Sequence, residues 1–170
     1  MEWNDIYDAH RNLTGRLHRR GSKWHPGEYG LVVCVWVYDG EGNVLMTKRA
    51  PEKTFAGTWE NSGGAAKAGE TSLQAIQREL FEETGIAAEQ WEFELLDTGR
   101  DDIAFYDYYC IHRKIPLEQI VLLPGETVDA KWVALEEVYR MIERKEICNV
   151  IAQQFIRQAP ALRQKQSAQD

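Results

Sequence analysis

The chain has 170 residues, 27 acidic against 20 basic for a net charge of −7, and a 44% hydrophobic fraction ordinary for a globular protein. That length suits one domain with a real core, and the negative balance argues against general nucleic-acid binding, although a bound cation can reverse the sign locally for a small phosphorylated ligand. No apolar run approaches the roughly 20 residues that span a bilayer, and the acidic start Met1-Glu2-Trp3-Asn4-Asp5 has no signal-peptide character, so a cytoplasmic location with no membrane partner is expected.

Residues 1–27 read as a polar, irregular N-terminal extension packing on the domain. Within it Arg16, His18, Arg19, Arg20 and Lys23 form a basic patch, which either holds a terminal phosphate or is a solvated arm. "LVVCVWVY", 31–38, is apolar at odd and even positions alike, the mark of a strand covered on both faces. The turn cluster Asp39-Gly40-Glu41-Gly42-Asn43 leads into a returning strand, "VLMTKR". A loop follows over 51–58, and Asn61-Ser62-Gly63-Gly64 punctuates the chain before an expected helix over 71–84. Thr71 with Gln74 is a capping-box pattern, and Gly85 is a natural stop. Strands are expected over 91–99, 103–111 and 125–133, and helical stripes carry Leu135, Val138 and Ile142, then Ile147, Ile151 and Phe155. Residues 161–170 are expected to be a flexible tail, leaving 28–160 as a single α/β domain. Cys34, Cys110 and Cys148 lack zinc-type spacing and are read as reduced thiols, and the four histidines show no ligand spacing.

The expected helix of 71–84 poses an electrostatic problem. Leu73, Ile76 and Leu80 form its core stripe, and Glu79, Glu82 and Glu83 crowd an arc of roughly 100° beside it. Like charges at these spacings cost a few tenths of a kcal/mol per pair. Arg78 relieves part of this, but on a helical wheel it points largely to the far side. Either the face is simply solvated, or a hard divalent cation sits there, taking carboxylate and backbone carbonyl oxygens and completing its shell with water and phosphate.

The spacing Gly64-x5-Glu70-x7-Arg78-Glu79-Leu80-x-Glu82-Glu83-x-Gly85-Ile86 is identified as a Nudix box, complete at every fixed position. Trp59-Glu60-x-x-Gly63-Gly64 and Glu126 with Trp132-Val133 also resemble that family, over roughly residues 28–145. The resemblance implies a Nudix-type α/β/α sandwich with a mixed β-sheet, and a Mg²⁺-dependent hydrolase (Mn²⁺ as an alternative) cleaving a diphosphate bond in a small nucleoside-diphosphate-type substrate by attack of a metal-activated water on phosphorus. It further implies Glu79, Glu82, Glu83 and the carbonyl of Gly63 or Gly64 as metal ligands, Arg78 and Glu70 as their supports, and Glu83 or, second, Glu126 as general base. Glu126 reads equally well as a surface turn. Trp59-x-Asn61-Ser62 is similar to the isopentenyl-diphosphate-isomerase branch, but that branch's catalytic cysteine has no counterpart here, where Gly63 and Gly64 stand. The alternatives are a non-catalytic nucleotide-sensing module and an isomerase-like enzyme. Dimers are common among proteins resembling it, so a homodimer is open to this chain.

The substrate is not specified by the sequence. Trp24, Trp36, Trp59, Trp91, Phe105, Tyr106, Tyr108 and Tyr109 are candidates to stack on a base, each more often a core or surface aromatic. Asp107 interrupts the face Ile103, Phe105, Tyr109, Ile111, either to meet a ligand or because the strand emerges into solvent.

Overall fold

The apolar run at 31–38 becomes the centre of the sheet. In the computed structural model, which describes residues 2–167, it lies in β3 (Gly30–Tyr38). We number the N-terminal strands β1 (Trp3–Tyr7) and β2 (Leu13–Arg19), and those after β3 as β4 (Asn43–Arg49), β5 (Trp59–Glu60), β6 (Ser62–Ala65), β7 (Glu94–Arg100), β8 (Ala104–His112) and β9 (Thr127–Ala134). Strand β3 runs parallel to β8 from Gly30↔Ala104 to Tyr38↔His112, and antiparallel to β6 on its other side. The pair Tyr38↔Val44 hands the sheet over to β4, which pairs with β9 and β5, while β7 flanks β8. The sheet is therefore mixed, as expected.

Alternation along β3 divides its side chains between two cores. Leu31, Val33, Val35 and Val37 pack beneath α1 (Ser72–Thr84) with Ala75, Ile76 and Leu80. Trp36 and Tyr38 face the opposite way, onto α2 (Leu135–Glu143) and α3 (Asn149–Ser167), with Val138, Met141, Phe155 and Leu162. Burial on both faces explains the unbroken apolar run and gives the three-layer sandwich.

Five local expectations are corrected. Residues 3–19 are not irregular: β1 and β2 form a hairpin tied to the domain by Asn4 Nδ2, which donates to the Ala66 carbonyl at 2.6 Å, and by the Ala68 N–H, which donates to the Trp3 carbonyl at 2.8 Å. Asp107 neither emerges into solvent nor lines the acidic cavity described below. It is buried, paired at 2.8 and 2.5 Å with Arg11 and at 2.5 Å with Ser72 Oγ, which clamps the β1–β2 turn and the start of α1 to β8. Residues 161–167 continue α3 with Leu162 fully buried, and the remainder of the expected tail lies outside the described residues. Pro160 lies inside α3 without an N–H to donate, which takes the helical partner from the Ile156 carbonyl, and both residues are on the exposed side of the helix. Residues 90–92 form a 3₁₀ turn rather than the first residues of β7, and Ile147 precedes α3, bridging to Trp59.

All three thiols are free; burial pushes Cys34 up to about 12 and Cys110 up to about 11. Among the described residues no helix is long and apolar enough to cross a membrane.

Candidate metal and active site

The expected caps both form and fix where α1 begins and ends. Thr71 Oγ1 accepts from the Gln74 N–H at 3.2 Å, Gln74 Oε1 accepts from the Thr71 N–H at 2.8 Å, and Gly85 closes the helix at φ 71°. With Ile76 and Leu80 seated in the core, Glu79, Glu82 and Glu83 are carried onto one flank, facing β6. Two glycines let the strand approach. A Cβ on Gly63 would lie 2.3 Å from the Val33 carbonyl, and one on Gly64 would lie 2.5 Å from Glu79 Oε1. The Gly63 N–H donates to Glu83 Oε2 at 3.1 Å.

A cavity of about 260 Å³ opens between these elements. Glu79, Glu82, Glu83, Gly64, Arg78 and Glu126, all singled out in the sequence, line it together. Glu70 does not; it stands behind Arg78, whose Nε and Nη2 donate to its two oxygens at 2.7 and 2.9 Å. Arg78 Nη1 donates to Glu79 at 2.7 Å and to Glu82 at 3.0 Å, so the guanidinium reaches back over the acidic cluster instead of pointing away from it. Lys67 lies 3.6 Å from Glu82.

Further residues of the cavity escaped the sequence reading. Glu60 lies on its wall, held by Arg49 at 2.5 Å, and Lys53 pairs with Glu126 at the mouth. Their approach depends on β4 pairing with β5 and on β9 lying beside them; the only sequence signal was the place of Glu60 in the Trp59-Glu60-x-x-Gly63-Gly64 stretch. Of the basic patch, Arg20 alone reaches the cavity, held by Glu2. Arg16 instead pairs with Glu28 at 2.5 Å.

Burial pushes the Glu83 carboxyl well above its ordinary range, and the nearby charges of Glu60 and Glu79 push it further. Burial also raises Glu79, despite Arg78, and Glu60, despite Arg49. This is the signature of a carboxylate cluster short of positive charge. Among the described residues no three acidic, histidine or cysteine side chains are already drawn into a cation cage, since Arg78 engages Glu79 and Glu82. The donor set nevertheless fits a hard divalent ion: carboxylate oxygens, an unhindered glycine backbone and no sulfur or nitrogen ligand at the centre.

The aromatic candidates disperse. Trp36 is core, Trp91 is 82% exposed, Trp59 is covered by Lys131 at 4.1 Å, and Tyr109 is bonded to Ser72. Trp24 and Tyr106 line a second hollow beside the acidic cavity.

Comparison with known proteins gives a consistent picture. The NUDIX domain model matches residues 28–154. An uncharacterized Nudix hydrolase of Listeria monocytogenes is 35% identical over 139 residues, 81% of this chain and 82% of that protein. The crystal structure of a Deinococcus radiodurans protein superposes with a TM-score of 0.77 at 18% identity, covering 92% of this chain and 99% of that one. The NUDIX domain of Shewanella oneidensis NrtR, solved with ADP ribose, superposes with a TM-score of 0.63 at 20% identity, covering 85% and 94%.

Proposed function

The chain belongs to the Nudix hydrolase family, whose members hydrolyse phosphorus-containing anhydrides with a divalent metal, and we propose that it is a Mg²⁺-dependent enzyme that cleaves the diphosphate bond of a small nucleoside-diphosphate-type substrate by attack of water on phosphorus. The observation that carries this reading is the convergence of Glu79, Glu82, Glu83 and Gly64 on one cavity whose carboxylates lack sufficient counter-charge. The reading takes residues 28–160 as the catalytic domain, with 1–27 packed on it, and places the protein in the cytoplasm.

In this reading Glu79, Glu82, Glu83 and the Gly64 carbonyl would hold the cation. Bound there, a divalent cation would supply Lewis-acid stabilisation of the diphosphate and of the attacking water. Arg78 is anchored on Glu70 through Nε and Nη2, so Glu79 and Glu82 would have to leave Nη1 to meet a cation, and the guanidinium would still be held. Glu83, held by the Gly63 N–H, is the first candidate to take the proton from water. Glu126, at the mouth beside Lys53, is the second. Arg49, Lys53 and Arg20 supply cationic contacts for phosphate oxygens.

A mass-spectrometric screen of nucleoside triphosphates, ADP-ribose, dinucleotides, nucleotide sugars and isopentenyl diphosphate, with Mg²⁺ or with chelator, tests the reading. A product that needs Mg²⁺ and disappears in Glu83→Gln supports it. Tight nucleotide binding with no turnover in any condition replaces it with the sensing module.

A further inference from the structure

The N-terminal hairpin lies outside residues 28–154, yet it reaches the wall of the acidic cavity. Strand β1 is laced along the loop that joins β6 to α1. Asn4 Nδ2 donates to the Ala66 carbonyl at 2.6 Å, the Ala68 N–H donates to the Trp3 carbonyl at 2.8 Å, and the Gly69 N–H donates to Asp5 Oδ2 at 2.7 Å. Among these ties sits Lys67, whose own N–H donates to Glu70 Oε2 at 2.8 Å. Its backbone is therefore fixed from both sides, and its side chain lies on the cavity wall.

The ammonium of Lys67 differs from the other cations of the cavity. Arg20, Arg49 and Lys53 each donate a hydrogen bond to a carboxylate, and Arg78 donates to three. Lys67 Nζ stands 3.6 Å from Glu2 and 3.6 Å from Glu82, and it makes no hydrogen bond among the described residues. An ammonium carries three N–H donors, so an anion entering the cavity can take them without breaking a bond inside the protein. A partly exposed ion pair contributes little to stability. Three hydrogen bonds from β1 nevertheless flank this one residue, so what they secure is the position of its charge.

Building on the hydrolase reading, we propose that Lys67 is a catalytic residue that donates to a phosphate oxygen of the diphosphate, and that the N-terminal hairpin is the active-site element that positions it. In the substrate-free cavity the ammonium balances charge between Glu2 and Glu82. In the complex it turns to the substrate while the β1 ties hold its backbone. Arg20, just past the end of β2, enters the same wall and is held by Glu2, so the hairpin delivers one cation directly and fixes a second. The group recognised is the diphosphate itself, whatever it is attached to.

Calorimetric titration tests this without requiring turnover. The probe is methylenediphosphonate, a diphosphate analogue whose P–C–P bridge is not hydrolysed, added at saturating Mg²⁺; Mg²⁺ alone is titrated separately. The proteins are wild type, Lys67→Met, Lys67→Arg, Asn4→Ala and the double variant Asn4→Ala/Lys67→Met. We expect Lys67→Met to weaken the analogue about 10- to 100-fold, the range for a lost charged hydrogen bond, and Lys67→Arg to recover most of it. Mg²⁺ alone should bind Lys67→Met at least as tightly as wild type, because a positive charge beside Glu82 is gone. These opposite signs separate a phosphate contact from a general loss of the site, which weakens both. Asn4→Ala should weaken the analogue roughly 3- to 10-fold and shrink the effect of Lys67→Met in its background, since a lysine out of position has less to lose. Analogue affinity in Lys67→Met within about twofold of wild type, or Mg²⁺ affinity lost alongside it, would overturn the phosphate contact. So would a wild type that does not bind the analogue. Additive effects of Asn4→Ala and Lys67→Met would overturn the role of the hairpin. Failure of the hydrolase reading is a separate result, an absence of Mg²⁺-dependent turnover, and leaves these affinities readable.

Discussion

On the α3 side of the sheet, Gln158 is 2% exposed and accepts from Trp36 Nε1 at 2.8 Å, while Gln166 accepts from the Gly42 N–H. On the α1 side, Glu83 is 9% exposed, has the Gly63 N–H and the Ser62 hydroxyl as hydrogen-bond partners, and faces the charges of Glu60 and Glu79. Both sides bury polar groups, yet the glutamines are neutral and their bonds join helix to strand, whereas the carboxylates repel one another. Gln154 Oε1 finds no hydrogen-bond partner among the described residues, so the contrast is one of charge rather than of perfect satisfaction. Neutral bonded groups buried in a core specify packing; buried like charges raise each other's pKa and call for a cation.

If that contrast is right, substitutions on the two sides separate turnover from stability. The largest effect is expected at the carboxylates: Glu83→Gln or Glu82→Gln lowers Mg²⁺-dependent turnover at least ~10²-fold, with the thermal midpoint unchanged or raised. Near wild-type activity in either would remove that residue from the metal site. Leu162→Ala, on the α3 side, should cost about 2–5 kcal/mol in urea denaturation and leave kcat intact, because it empties a fully buried position. A loss below 1 kcal/mol would mean that the end of α3 contributes little packing. Gln158→Leu should cost less, about 1–3 kcal/mol, by stranding the buried Trp36 N–H. An unchanged midpoint there would mean that water replaces the glutamine.

The same contrast explains what was legible in the sequence. Helix α1 could be read because periodicity, both caps and the Nudix spacing all coincide within residues 64–86. Arg78 was misplaced because a helical wheel gives the direction of a Cα–Cβ bond, whereas a long side chain folds back along the helix, here onto Glu70, Glu79 and Glu82. The end of α3 was hidden because its buried stripe runs Phe155, Gln158, Leu162, Gln166, half of it polar. The β1–β2 hairpin offered little pattern, since in β1 only Asn4 and Ile6 turn inward. Glu60 and Lys53 are brought to the cavity by strand pairing and loop placement, which spacing along one segment does not encode.

The smallest effect is a linkage between pH and metal. A carboxyl with a raised folded pKa holds its proton where the unfolded chain has already released it. Glu83, Glu79 and Glu60 therefore make the metal-free protein progressively less stable as pH rises from the ordinary carboxylate range through their raised values. A cation binding the ionised cluster offsets this, and protons compete with it at low pH. At ten times its Kd, Mg²⁺ should stabilise the protein by about 1.4 kcal/mol at pH 8, roughly 3–5 °C in Tm, and by clearly less at pH 5.5. Glu83→Gln should narrow the gap by removing the most strongly raised group. Equal gains at both pH values, or a gap untouched by Glu83→Gln, would show that Mg²⁺ binds elsewhere and that the buried charge beneath α1 is tolerated without it.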